Sequence, residues 1–177
     1  MIFSPNALLD EIRAGKIVRN LSSRELLTPE GVGFDLCVSD ISEIGAGSGS
    51  LGIKNRRTPS SSKVDVSETN QIFLAPGKTY LVTTVEHFEL PEGLAAVFYP
   101  RSTLFRSGVV FQSSILPHGY IGPMVFSLTN MHSEAFEIEI GSRFAHVVFV
   151  TVNGSSNGYR GQWSGGRTSV SEDEEQI

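Results

Sequence analysis

The sequence predicts an all-β domain, either a barrel or a sandwich, and three observations carry that prediction. After one short helical segment near the start, the chain from Gly33 onward breaks into brief runs of β-forming residues. Glycine, proline and serine separate those runs, as in Glu89-Leu90-Pro91-Glu92-Gly93. Several runs also alternate apolar and polar residues with the period of two that a half-buried strand requires.

Taken in order, Ser4-Pro5 reads as an N-cap followed by a first-turn proline. Leu8, Leu9 and Ile12 then give one apolar face, and Gly15 stops this short, solitary helix. Residues 45–62 form a Gly/Ser-rich insertion with Lys54, Arg56 and Arg57, expected as a surface loop. Residues 80–84 and 94–99 are rich in β-formers and read as strands. Met124, Phe126 and Leu128 alternate with Val125, Ser127 and Thr129. Phe136, Ile138 and Ile140 alternate with Glu137 and Glu139, as a half-solvated strand would. Residues 144–152 are nearly all apolar, as expected of a strand buried on both faces. The expected division is a β domain over 1–164 and a flexible acidic tail over 165–177, which carries Glu172-Asp173-Glu174-Glu175.

Bulk properties bound the function. At 177 residues with 40% hydrophobic content, the chain is large enough for one domain with its own core. A formal net charge of -5 argues against a nucleic-acid or membrane surface, since phosphate backbones require a basic face. A few arginines can still make a locally positive pocket for a small anion. The lone Cys37 excludes an intrachain disulfide and reads as an inert thiol, and no His/Cys spacing suggests a metal centre. Asp10, Glu11 and Arg13 interrupt any secretory pattern, so a soluble cytoplasmic protein is expected.

The chemistry-bearing stretch is Pro100-Arg101-Ser102-Thr103-Leu104-Phe105-Arg106-Ser107-Gly108, followed by Gly119-Tyr120-Ile121-Gly122. Arginine suits phosphate because its planar fork donates parallel hydrogen bonds and stays charged. The hydroxyls of Ser102 and Thr103 lie between Arg101 and Arg106 and can complete a phosphate cradle. Taken alone, the arginine pair reads better as a set of surface salt bridges, and Tyr120 equally as a core tyrosine.

These motifs, with Asn130 closing the next strand and a late Tyr159-x-Gly161-x-Trp163, resemble the dCTP deaminase branch of the dCTP deaminase/dUTPase superfamily. Gly15-Lys16-Ile17, Gly33-Phe34-Asp35-Leu36 and Thr84-Val85-Glu86 are similar to its upstream elements, and Asp35 and Glu86 match positions that read as structural. The resemblance implies a distorted jelly-roll-like β-barrel of the dUTPase type with a short N-terminal helix. It further implies a homotrimer with active sites shared between subunits, and a deoxynucleoside triphosphate substrate held with Mg2+. Carried onto matching positions, Arg101, Ser102, Thr103 and Arg106 would contact phosphate or assist at the base. Tyr120 would stack beneath the deoxyribose, Tyr159 would contact the substrate, and Gly161, Gln162, Trp163 and Arg167 would belong to a lid over the nucleotide.

The pattern departs from the family at two acids. Pro117 stands where the family has an aspartate, and Ser127 where deaminases have the glutamate that handles protons. A serine hydroxyl has no useful basicity near neutral pH, so Ser127 cannot replace a carboxylate as proton shuttle. His118, adjacent to the vacant aspartate position, either replaces it or is an exposed loop histidine. Ser102, Arg106, His118 and Ser127 are therefore the candidate catalytic set. Three functions remain open: a deaminase-like or dUTPase-like hydrolase with an altered site, a nucleotide-binding or regulatory homologue without turnover, and a trimeric interaction scaffold.

Overall fold

Strands take up 44% of the chain and helix 10%, and a nearly closed sheet wraps one apolar core. The structure, a computed structural model, describes residues 1–170 and 174–175. A 3-10 turn, Pro5–Ala7, leads into α1 (Leu9–Arg13), which buries Leu9 and Ile12 as the apolar spacing predicts. Ser4 makes no side-chain cap bond, although Pro5 does open the turn. The short strand β1 (Ile17–Arg19) follows, then α2 (Ser23–Leu27), capped by Ser22 Oγ accepting from the Glu25 amide. The helix near the start is thus not solitary. A Ser-x-x-Glu cap inside a five-residue helix leaves too short a period to read in sequence.

The long strand β2 (Phe34–Ile44) then enters the core. Three short strands lie in the insertion expected as a loop: β3 (Ser50–Leu51), β4 (Asn55–Arg57) and β5 (Ser61–Lys63). β5 pairs with the far end of β2, and β3 with β4. Next come β6 (Gln71–Leu74), β7 (Thr79–Glu89) and β8 (Leu94–Pro100). They are followed by α3 (Ser102–Arg106), β9 (Val109–Gln112), β10 (Ile121–Asn130), β11 (Phe136–Glu139) and β12 (Arg143–Thr151). A terminal strand β13 (Glu174–Glu175) pairs with β4.

The main sheet runs β8-β12-β2-β7-β10-β9, with β11 and β6 as a separate pair. Its two edges approach each other because the chain after β9 returns to β8. Leu116 and Ala96 exchange amide hydrogen bonds of 2.8 and 2.9 Å there. Met124, Phe126 and Leu128 point inward, and Phe126 meets the rings of Phe98, Phe111 and Phe144 at 4.9, 5.0 and 5.8 Å. Aromatic rings at these spacings bury large apolar area in favourable tilted contacts.

Asn130, fully buried at the end of β10, fastens this sheet to the smaller pair. Its Nδ2 donates to Leu74 O and Glu134 O, both at 2.8 Å, and its Oδ1 accepts from the His132 amide at 3.0 Å. Gly33 permits β2 to touch β12, since a Cβ there would sit 1.9 Å from Val147 O. Of the tail expected to be mobile, residues 171–173 and 176–177 lie outside the described residues. The rest lies on the body, with Val170 buried and Thr168 Oγ1 accepting from Ser61 Oγ at 3.0 Å.

Candidate functional site

The arginine-serine motif folds as a corner. β8 ends at Pro100, α3 makes one helical turn anchored by buried Leu104, and Gly108 at φ +76° swings the chain into β9. Ser102, Thr103 and Arg106 project from this turn into solvent, and the Arg106 guanidinium lies 5.9 Å from the Phe105 ring centre.

Arg101 is differently employed. Its guanidinium hydrogen-bonds Asp35 Oδ2, which also accepts from Arg143 at 2.8 Å, while Asp35 Oδ1 pairs with His146 Nδ1 at 2.9 Å. Burial alone would raise the Asp35 pKa, but the His146 hydrogen bond and the charges of Arg101 and Arg143 hold the carboxyl below its usual range. Arg101 and Ser102 line one cavity of about 560 Å³ beside Asp35 and His146, walled by Ile2, Val97, Tyr99 and Val148.

Tyr120 belongs to a second cavity, of about 380 Å³, that shares no lining residue with the first. It is lined by Pro117, Tyr120, Tyr159, Trp163 and Arg167 among the residues named from sequence, together with Ile44, Thr58, Pro59, Leu81 and Met124. The Tyr120 hydroxyl donates to Pro123 O, and burial pushes its pKa up to about 12, so the phenol stays neutral. Tyr159 meets Tyr120 edge-on at 5.3 Å, and its hydroxyl accepts from the Trp163 amide at 3.1 Å.

The segment expected as a lid lies directly on its own chain's Gly-Tyr-x-Gly turn. The Tyr159 amide donates to His118 O at 2.7 Å and the Gly165 amide to Ile121 O at 2.8 Å. The contact is backbone to backbone. A Cβ on Gly122, at φ +139°, would approach Gly165 Cα to 2.7 Å, so neither a larger residue nor a different backbone fits.

Thr103, Arg106, His118, Ser127 and Gln162 line neither cavity. His118 Nε2 is held by Ser156, at 3.1 Å from both O and Oγ, so the ring fastens a loop. Ser127 sits on the same face of β10 as the cavity-lining Val125, and its Oγ donates to Gln112 Oε1 at 3.0 Å. Among the described residues no Asp or Glu lines the Tyr120 cavity. The buried carboxyl of Glu86 is turned away to accept from the Cys37 amide at 3.0 and 3.2 Å, and burial pushes its pKa up to about 7. The same burial pushes the Cys37 thiol up to about 11, leaving it unreactive at neutral pH.

Among the described residues no cluster of His, Cys, Asp or Glu could cage a metal ion. The donor set does not fit a resident Mg2+, which takes carboxylate and phosphate oxygens. Sequence reasoning missed Ile44, Thr58 and Pro59 as cavity walls. Their one local signal is Thr-Pro emerging from a Gly/Ser-rich stretch, which marks a turn and nothing more.

The order of these pieces, arginine corner, glycine-tyrosine turn, buried asparagine and overlying tail, is that of a known family. The profile of dCTP deaminase-like proteins matches residues 2–152. The chain belongs to the dCTP deaminase-like family. Over 141 residues it is 33% identical to the probable deoxyuridine 5'-triphosphate nucleotidohydrolase of Methanothermobacter thermautotrophicus, covering 80% of this chain and 87% of that relative. Its fold is similar to the 2'-deoxycytidine 5'-triphosphate deaminase of Agrobacterium tumefaciens, with a TM-score of 0.64 at 18% identity, covering 84% of this chain and 46% of that one. It is also similar to a mutant dUTPase of phage phi11 of S. aureus, reported with a structural Mg(II) ion, with a TM-score of 0.53 at 14% identity, covering 80% of this chain and 94% of that one. The barrel expected from sequence is therefore the fold of this dCTP deaminase-like protein, a relative of nucleotide-processing enzymes.

Proposed function

We propose that this family member captures a deoxypyrimidine nucleoside triphosphate and that its hydrolytic site is altered. One observation carries the reading: an apolar cavity floored by Tyr120 and closed by Tyr159, Trp163 and Arg167, with no carboxylate in its lining among the described residues. Tyr120 and Trp163 offer flat faces to a sugar and a base, and Arg167 a charge to phosphate. Ser127 and His118 are already engaged with Gln112 and Ser156, and neither lines the cavity. Loss of a general base lowers a rate by roughly 10²–10⁴-fold.

Arg101, Ser102, Thr103 and Arg106 are the proposed phosphate grip. Arg101 and Ser102 line a different cavity of the same chain from Tyr120, so a site containing both needs a second subunit. This favours a homotrimer with shared sites, the exposed Ile2, Val32 and Tyr99 being covered by a neighbour. Mg2+ would ride on the triphosphate, in the absence of a protein cage among the described residues. A ligand from the free nucleotide pool suits a cytoplasmic protein. The proposed division of the chain is a β domain over 1–164 and an acidic C-terminal segment over 165–177.

Calorimetric titration with dCTP, dUTP and dTTP tests the reading. Binding in the micromolar range is expected, with Arg106→Ala weakening triphosphates more than monophosphates. No heat with any of the nucleotides would end it. A second reading, attack at phosphate, is favoured by the 33% identity to a dUTP nucleotidohydrolase. Pyrophosphate release in the presence of Mg2+ would establish that alternative.

A further inference from the structure

Asparagine followed by glycine occurs twice in this chain, as Asn153-Gly154 and Asn157-Gly158. Both pairs fall in the short loop between β12 and the segment that covers the Tyr120 cavity. Such a pair is chemically self-reactive, which is one reason asparagine is thermolabile. The glycine amide nitrogen gives up its proton to hydroxide and attacks the asparagine side-chain carbonyl carbon. A C–N bond forms, ammonia leaves, and a succinimide ring closes. Water then opens the ring at one of its two carbonyls. One opening gives aspartate. The other gives isoaspartate, in which the main chain runs through the former side chain. Glycine favours closure because no side chain obstructs its nitrogen.

Exposure does not distinguish the two asparagines, since both residues are exposed. Backbone freedom does. Ring closure requires rotation about the asparagine Cα–C bond, which brings the next nitrogen against the side chain. Before Asn153 the nearest backbone anchor is the Val152 amide, which donates to Gly93 O at 2.9 Å. After it, Gly154 at φ +89° has nothing within 4 Å of the place a Cβ would take. Asn157 is instead clamped on both sides by His118. His118 Nε2 lies 3.1 Å from Ser156 O and from Ser156 Oγ, one residue earlier. His118 O accepts from the Tyr159 amide at 2.7 Å, two residues later. Between these contacts Gly158 lies against the imidazole, where a Cβ would stand 3.4 Å from Cε1.

We propose that Asn153 is a site of spontaneous deamidation, and that His118 suppresses the same reaction at Asn157 by fixing the backbone on either side of it. The difference matters to the cover. Each conversion adds one negative charge, and isoaspartate also adds one main-chain atom. At 153 that atom enters an open loop. At 157 it would strain the two contacts that Ser156 and Tyr159 make with His118, and so loosen the seat of Tyr159 beside Tyr120. His118 is thus a positioning residue, and this role stands whether or not the cavity takes a nucleotide.

Ageing the full chain in mildly alkaline buffer tests the proposal, with peptide fragmentation in a mass spectrometer reading conversion at each asparagine separately. Asn153 should convert about tenfold faster than Asn157 in the folded chain. In urea the two should react at similar rates, because both precede glycine. His118→Ala should raise conversion at Asn157 towards that at Asn153 and leave Asn153 unchanged. Ser156→Ala, which removes one of the two contacts to Nε2, should raise it less and serves if His118→Ala folds poorly. Equal conversion of the two asparagines in the folded chain would overturn the proposal. So would a difference that persists in urea or survives both substitutions, or no conversion at Asn153 over a period in which the unfolded chain reacts.

Discussion

Guanidinium meets carboxylate in two parts of this molecule, and the two contacts are built in opposite ways. At Asp35, 4% exposed, Arg101, Arg143 and His146 satisfy both oxygens of one buried acid. At Glu174, 21% exposed against an Arg167 that is 44% exposed, one oxygen is bonded and the other buried without a partner. A buried acid ringed by donors cannot leave without stranding several charges, so the first contact is permanent. Contacts of the second kind are weak and screened by salt. The difference separates a carboxylate fixed into the barrel from one held at the surface by a single exposed arginine.

The strongest way to break the comparison is Asp35→Ala. It leaves two guanidinium groups and an imidazole facing each other, and should cost about 3–5 kcal/mol in urea unfolding. An effect under about 1 kcal/mol would mean that the ring of donors is not structural.

Glu86 supplies a pH test of the same barrel. Its folded value of about 7 lies above the ordinary 4.5, so between those values the native state keeps a proton that the unfolded chain has lost. Stability from this group is therefore fullest below about pH 4.5 and falls as pH rises to 7, by about 3 kcal/mol. Urea midpoints at pH 5 and pH 8 measure it, and Glu86→Gln should flatten the slope.

Smaller again is Asn130→Ala, expected to cost about 2 kcal/mol by orphaning Leu74 O and Glu134 O. Smallest is Glu174→Gln, which should move thermal unfolding by less than about 0.5 kcal/mol. A loss as large as that of Asp35→Ala would make both contacts structural.

How much of this was legible depends on the distance over which the information acts. Residues 124–129 and 136–140 declared themselves because the period of two is local, and β10 and β11 follow it. The turn α3 did not, since five residues with one buried leucine leave no period to read. Tyr120, Tyr159, Trp163 and Arg167, named from motifs, do line one cavity. The walls supplied by Thr58 and Pro59 were hidden because they meet Arg167 and Thr168 only through the folded course of an insertion. The separation of Arg101 from Tyr120 was equally hidden, since adjacency in sequence says nothing about which side of a sheet each residue faces.

The close passage of Gly122 against Gly165 has a consequence for any assembly of identical copies. Because the cover is seated by backbone contact on the turn of its own polypeptide, each copy roofs its own cavity. Altered copies blended with natural ones should then change ligand uptake in simple proportion to their fraction, with no dominant poisoning by a minority.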